Sequence, residues 1–235
     1  MIIGGQKVAA SDGAVFRDLN PTTLELIDEL PLATQEDVER ALDNAQIGKK
    51  EWADTPIWKR IEIIRHFIEI YSGHKEELAQ AITAELGKPI AHARVEAYGS
   101  IETISNFCDI ARTLGGETFV QNNYSWVNSG DMYFTVREPL GVIVCVVPFN
   151  FPVELYFQKV IPALLMGNAV IVKPSSDTPI VDIMVTEWLL EAGVPGNVLQ
   201  IVTGSGSKIG RWLSESPKID GYSLTGSTPV GIASA

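Results

Sequence analysis

The 235-residue chain is expected to fold as an α/β protein: an open parallel sheet with flanking helices, an N-terminal helical segment and a protruding β-hairpin. Three observations predict it. From Gly141 onward, short apolar runs alternate with helical patterns, the order of right-handed βαβ units. The run Val142-Ile143-Val144-Cys145-Val146-Val147 lacks polar alternation, as expected of a parallel strand covered on both faces. Pro148-Phe149-Asn150-Phe151-Pro152 and Pro174-Ser175-Ser176 each follow such a run, so both turns lie along one sheet edge, where open α/β sheets receive ligands.

Residues 1–119 are expected to form the helical part. Thr34 reads as an N-cap with Asp37 three residues on, before Val38, Ala41, Leu42 and Ala45 at helical spacing. A second helix opens at Pro56 with the stripe Ile57, Ile61, Ile64, Phe67, Ile68 and Tyr71. It is expected to end or bend near Ser72-Gly73, then resume towards Leu86. Gly87 reads as a helix stop and Pro89 as the next start. A third helix carries Val95, Tyr98, Ile101, Ile104, Cys108 and Ala111, and stops at Gly115-Gly116. Residues 120–138, rich in Asn, aromatic and β-branched residues, read as a β-hairpin turning at Asn128-Ser129-Gly130-Asp131. A two-stranded hairpin is marginal alone, so it is expected to join a sheet elsewhere, making the chain a homo-oligomer.

Residues 139–235 are expected to form the βαβ core. Strands are placed at 141–147, 169–173, 198–202 and 221–224. Helices are placed at 153–166, 179–192 and 207–214, with a last one starting near Thr228. Gly193 ends one helix and Pro195 prevents its resumption.

Composition excludes several classes. Hydrophobic residues make up 46% and charged residues 20%, the balance of a globular protein with a core. Acidic residues outnumber basic ones by 29 to 18, a net charge of −11 that argues against nucleic-acid and membrane partners. Two cysteines are too few for a disulfide scaffold. No signal peptide or membrane span is read, and the chain is expected to be cytoplasmic.

Asn150 follows the first strand of the core. Its amide could donate to a developing oxyanion, a contact whose loss costs roughly 10²–10³ in rate, or could simply cap the next helix. Lys173 ends an apolar strand, so its ammonium is expected to reach out of the edge towards an oxygen-rich ligand; the alternative is a snorkelling lysine without a role. Thr203-Gly204-Ser205-Gly206-Ser207-Lys208-Ile209-Gly210 joins a strand to a helix, one residue too long for the G-x-G-x-x-G fingerprint. Thr225-Gly226-Ser227-Thr228-Pro229-Val230-Gly231 suits a pyrophosphate at a helix start, or is an ordinary capped start. Cys145 lies mid-strand and Cys108 on a helix stripe, so both are expected to be core thiols rather than nucleophiles. His66, His74 and His92 show no metal-ligand spacing, and no metal site is expected.

With these residues in view, the chain resembles the NAD(P)-dependent aldehyde dehydrogenase superfamily, in its N-terminal, cofactor-binding half. Pro139-Leu140-Gly141-Val142, Pro148-Phe149-Asn150-Phe151-Pro152, Gly167-Asn168-Ala169, Lys173-Pro174-Ser175 and Leu224-Thr225-Gly226-Ser227-Thr228 carry the resemblance. It implies a Rossmann-like fold, NAD or NADP as cofactor and an aldehyde as substrate. It also implies that Asn150 polarises the aldehyde carbonyl and that Lys173 binds the adenine ribose. Gly226, Ser227 and Gly231 are implied to hold the pyrophosphate, with Gly206 beside the adenine. Val147, Pro148, Phe149, Ser175 and Ser176 complete the implied cofactor contacts. In this family a cysteine thiolate attacks the aldehyde, hydride passes to the nicotinamide, and a glutamate activates water.

Three departures qualify the match. The family's nucleophilic cysteine and general-base glutamate lie downstream of the Thr225-Gly226-Ser227 turn, and no residue here takes either role. Ser176 stands where many NAD-preferring members carry a glutamate, which leaves room for a 2′-phosphate and predicts that NADP is tolerated. Phe149 replaces the commoner tryptophan without settling the substrate. The expectation is the NAD(P)-binding portion of an aldehyde dehydrogenase, inactive by itself; the alternative is a non-catalytic dinucleotide-binding or assembly subunit that needs a partner chain.

Overall fold

The computed structural model describes residues 1–119 and 132–234. Residues 1–31, expected within a helical segment, form strands instead. β1 (Ile2–Ile3) pairs antiparallel with β2 (Gln6–Lys7), and β3 (Val15–Leu19) pairs antiparallel with β4 (Leu26–Pro31).

Three helices follow. α1 (Gln35–Asp54) starts as expected: Thr34 accepts from the Asp37 N–H while the Asp37 side chain accepts from the Thr34 N–H, a reciprocal capping box. α2 (Ile57–Leu86) is unbroken, so the break expected at Ser72-Gly73 is absent. A mid-helix glycine costs about 1 kcal/mol, and the stripe Ile61, Ile64, Phe67, Tyr71, Leu78 and Ile82, all buried, outweighs it. Gly87, at φ +70°, ends the helix. α3 (Ile90–Thr113) begins after Pro89. β5 (Thr118–Phe119) then pairs antiparallel with β6 (Tyr133–Phe134), the stem of the expected hairpin. The turn expected at Asn128-Ser129-Gly130-Asp131 lies outside the described residues.

The rest alternates as the sequence predicts: β7 (Val142–Val146), α4 (Pro152–Leu165), β8 (Ala169–Lys173), α5 (Pro179–Glu191), β9 (Leu199–Ile201), α6 (Gly206–Ser214), β10 (Gly221–Leu224) and α7 (Thr228–Ser234). The six-stranded sheet has the order β10-β7-β8-β9-β1-β2. The first four strands are mutually parallel; β1 adds antiparallel to β9 through Ile2 and Ile201.

Side-chain alternation along each strand builds two cores. Ile143, Cys145, Val147, Val170, Val172, Leu199 and Ile201 pack with α2 to α5. Val142, Val144, Ala169, Ile171 and Val202 pack with α1 and α6 on the opposite face. Both faces being covered explains why these strands read as continuous apolar runs.

Candidate functional site

Sheet register brings the candidate residues to one level. Val146 pairs with Leu224 on one side and Lys173 on the other. The turns Thr225–Ser227, Val147–Asn150 and Pro174–Ser176 therefore leave the sheet side by side. The chain runs outward from β7 through β8 to β9, then crosses back to place β10 on the far side of β7. That reversal is the topological switch point at which such sheets bind ligands.

Asn150 stands at the switch. The N-cap position of α4 is Phe151, without a side-chain cap, and Pro152 begins the helix. Asn150 is thus not the cap of α4; its side chain is exposed and makes no hydrogen bond among the described residues. Its carbonyl accepts from Lys88 Nζ at 2.8 Å. Phe149 and Phe151, both half-exposed, flank it.

Lys173 differs from its expected pose. Only 5% of it is exposed, and its ammonium folds back to donate to the Pro174 carbonyl at 2.7 Å instead of projecting from the edge. The carbonyl offers a hydrogen bond that an apolar surround would not. Burial lowers its pKa to about 8, partly opposed by Asp177 and Asp182. A Cβ on Gly206 would lie 3.6 Å from that ammonium, so the start of α6 sits over Lys173. Ser176 is exposed and donates to the Gly204 carbonyl at 3.0 Å, leaving its hydroxyl oxygen able to accept. The Ser175 hydroxyl accepts from the Asp177 N–H. Gly204, at φ +129°, adopts a backbone that other residues rarely reach, and a Cβ there would press on Leu32 and Ala33.

At the end of β10, Thr225 accepts from Lys159 Nζ at 2.6 Å. Gly226 and Ser227 are exposed; a Cβ on Gly226 would touch only the Leu224 side chain, and one on Gly231 would meet nothing. The α6 start is capped by its own Ser205, which accepts from the Lys208 N–H. The edge is an open shelf. A separate concavity is lined by Lys7, Leu30, Ile183 and Glu187 among others.

The two cysteines stay in the core. Burial pushes the Cys145 thiol up to about 12 and the Cys108 thiol up to about 11, so neither supplies a thiolate near neutral pH. Among the described residues no group of three His, Cys, Asp or Glu side chains could hold a metal ion. No helix there is long and apolar enough to cross a membrane.

Sequence reasoning missed four charged residues behind the shelf. Lys159 is the single cation of α4, and its ammonium pKa is lowered by burial. Lys88 lies between the helix-ending Gly87 and Pro89. Glu85 and Glu96 are both buried. One signal was available: Gln158 and Lys159 interrupt an otherwise apolar stretch of helix, Leu155 to Leu165.

A doubly wound sheet with its turns gathered at the switch point defines a Rossmann-like α/β domain. The chain belongs to the aldehyde dehydrogenase family, whose model matches residues 8–234. It is 34% identical over 233 residues to the D-glyceraldehyde dehydrogenase (NADP(+)) of Picrophilus torridus, covering 97% of this chain and 45% of that protein. It superposes with a TM-score of 0.96 on the NADP-dependent glyceraldehyde-3-phosphate dehydrogenase of Bacillus halodurans, solved with NADP, at 32% identity over 99% of this chain and 49% of the other. For an NAD-dependent aldehyde dehydrogenase of Sinorhizobium meliloti the TM-score is 0.93, at 30% identity over 100% and 46%. The chain therefore spans about half the length of these relatives. The family and fold expected from the motifs are borne out.

Proposed function

We propose that this chain is the NAD(P)-binding portion of an enzyme that oxidises an aldehyde to a carboxylic acid, and that it accepts NADP. The observation that carries this reading is the register that sets Asn150, Lys173 and the Gly226 turn at one level across the switch point.

The residues fit a dinucleotide. Gly226 and Gly231 leave an open backbone surface for a pyrophosphate, and Gly206 leaves one over the Lys173 ammonium. Lys173 and the exposed Ser176 would take the adenine ribose, with the Ser176 oxygen free to meet a 2′-phosphate. Val147, Pro148 and Phe149 would line the nicotinamide end, and Ser175 the ribose side. The bound cofactor supplies a hydride acceptor. Asn150 keeps its side-chain N–H groups uncommitted, and they would donate to the aldehyde oxygen as it gains negative charge.

Neither Cys108 nor Cys145 can serve as the nucleophile, so the chain by itself is proposed to bind and not to turn over. The glyceraldehyde-type aldehydes named for two relatives indicate a small polar aldehyde for the whole enzyme. The exposed β5–β6 ribbon, marginal alone, supports homo-oligomerisation through the hairpin, and a cytoplasmic location belongs to the same reading.

Calorimetric titration of the 235-residue chain with NADP and with NAD tests the proposal. Saturable binding of NADP is expected. NAD binding at least about tenfold tighter, ~1.4 kcal/mol, would overturn the NADP assignment, and no binding of either at millimolar concentration would overturn the whole reading.

A further inference from the structure

α4 and α5 carry the two central turns of the shelf, and neither has a side-chain cap from its own N-cap residue. Their first N–H groups are taken by carboxylates from the outer helices. Glu85 accepts from Ile180 at 2.6 Å and Val181 at 2.9 Å. Glu96 accepts from Val153 at 3.0 Å and Glu154 at 3.3 Å. The α4 side is built further. The other Glu96 oxygen takes Lys88 Nζ at 2.5 Å; Lys88 also donates to the Asn150 carbonyl and lies 4.1 Å from the centre of the Phe151 ring. Ser100 and Thr103, on the same face of α3 as Glu96, donate to the Glu154 carboxylate at 3.0 and 2.9 Å. The Glu96 side chain is fully buried and that of Lys88 is 11% exposed.

The backbone on either side of Asn150 is thus pinned. Val147 N–H donates to the Lys173 carbonyl before it, and the capped start of α4 follows it. Between them, the protein bond holding the Asn150 carbonyl comes from Lys88. An amide that must meet a developing charge needs a backbone fixed before the reaction.

We propose that Lys88, braced by Glu96, is the positioning residue of Asn150: it fixes the turn from which the side-chain amide reaches the carbonyl oxygen. The role in catalysis rests on the function proposed above; the fixing of the turn does not.

The test is backbone ¹⁵N relaxation of the labelled 235-residue chain. Asn150 and Phe151 are expected to be rigid, with order parameters near about 0.85. In Lys88→Met they should fall below roughly 0.6, while Ser175 and Ser176 on the neighbouring turn keep theirs and Lys88→Arg recovers the rigid values. Ser100→Ala, which loosens the first turn of α4 without touching Asn150, should leave Asn150 rigid. If Lys88→Met does not fold, Lys88→Gln, which retains a donor group, gives the same readout in weaker form. Unchanged order parameters at Asn150, or an equal loss on both turns, would overturn the proposal. Failure to bind NADP with Asn150 still loosened in Lys88→Met would support the positioning role and overturn the cofactor reading instead.

Discussion

On the proposed function, Ser176 is the side chain that would decide between the two cofactors. The residue is exposed and its hydroxyl is bonded to the Gly204 carbonyl, while Lys173, three residues before it, is buried. A glutamate here would place a carboxylate where the proposed 2′-phosphate sits. Like charges a few ångströms apart near a protein surface repel by a few kcal/mol before screening. Ser176→Glu should therefore weaken NADP binding by at least about tenfold while changing NAD binding far less, as read by paired titrations. Equal losses for both cofactors would sink this placement of the adenine ribose. Lys173 was legible as a lysine ending an apolar strand, expected to reach out of the edge. Its inward fold was not, because the partner is the carbonyl of the next residue and the cover comes from Gly206, on a different element.

Helices α4 and α5 show the same limit at the next scale. Local rules found the α1 cap, because Thr34 and Asp37 are three residues apart. They could not find the caps of α4 and α5, which come from Glu96 and Glu85 on helices distant in sequence. The strands of residues 1–31 were missed for two reasons. β1 and β2 are two residues each, and β1 joins the sheet only through Ile201. β3 and β4 did carry a signal, since Asn20-Pro21 separates two strand-like runs. Glu85 gives this scale its prediction. Burial first, then the neighbouring Asp18, raises its carboxyl from 4.5 to about 9 against the pull of its two N–H donors. Asp18 Oδ2 is buried with no donor, which fits a pair that shares a proton. Between those pKa values the folded chain holds a proton that the unfolded chain has lost, so this group makes stability fall as pH rises. The slope is at most about 1.4 kcal/mol per pH unit. Above about pH 8 the lowered Lys173 pKa acts the other way, because the unfolded chain then binds the extra proton. Glu85→Gln should flatten the slope below that point in urea unfolding from about pH 5 upward. An unchanged slope would mean that Glu85 is ionised in the fold.

At the scale of the whole molecule, the sequence disclosed the parallel sheet, its strand–helix alternation and the edge proposed for the site. Apolar runs buried on both faces leave little else to be read. The sheet order was less legible, since pairing β10 with β7 depends on a crossover and not on local pattern. With the cysteines interior and the shelf open, the 235 residues should form no NADPH from glyceraldehyde, and Cys145→Ser should leave NADP binding within about twofold of the parent. Aldehyde-dependent absorbance growth at the reduced-nicotinamide band, with the purified chain, would refute this. The pairing of Ile2 with Ile201 has a further consequence, for the order of assembly. During synthesis residues 2–7 are made well before β9, so their pairing with it must wait until that strand has followed. Contacts of such long sequence separation form slowly because the intervening loop must close first. The β1–β2 ribbon should thus be secured to the sheet later than β7 and β8 are to each other, and a chaperone binding nascent chains would find an apolar target at Ile2 and Ile3.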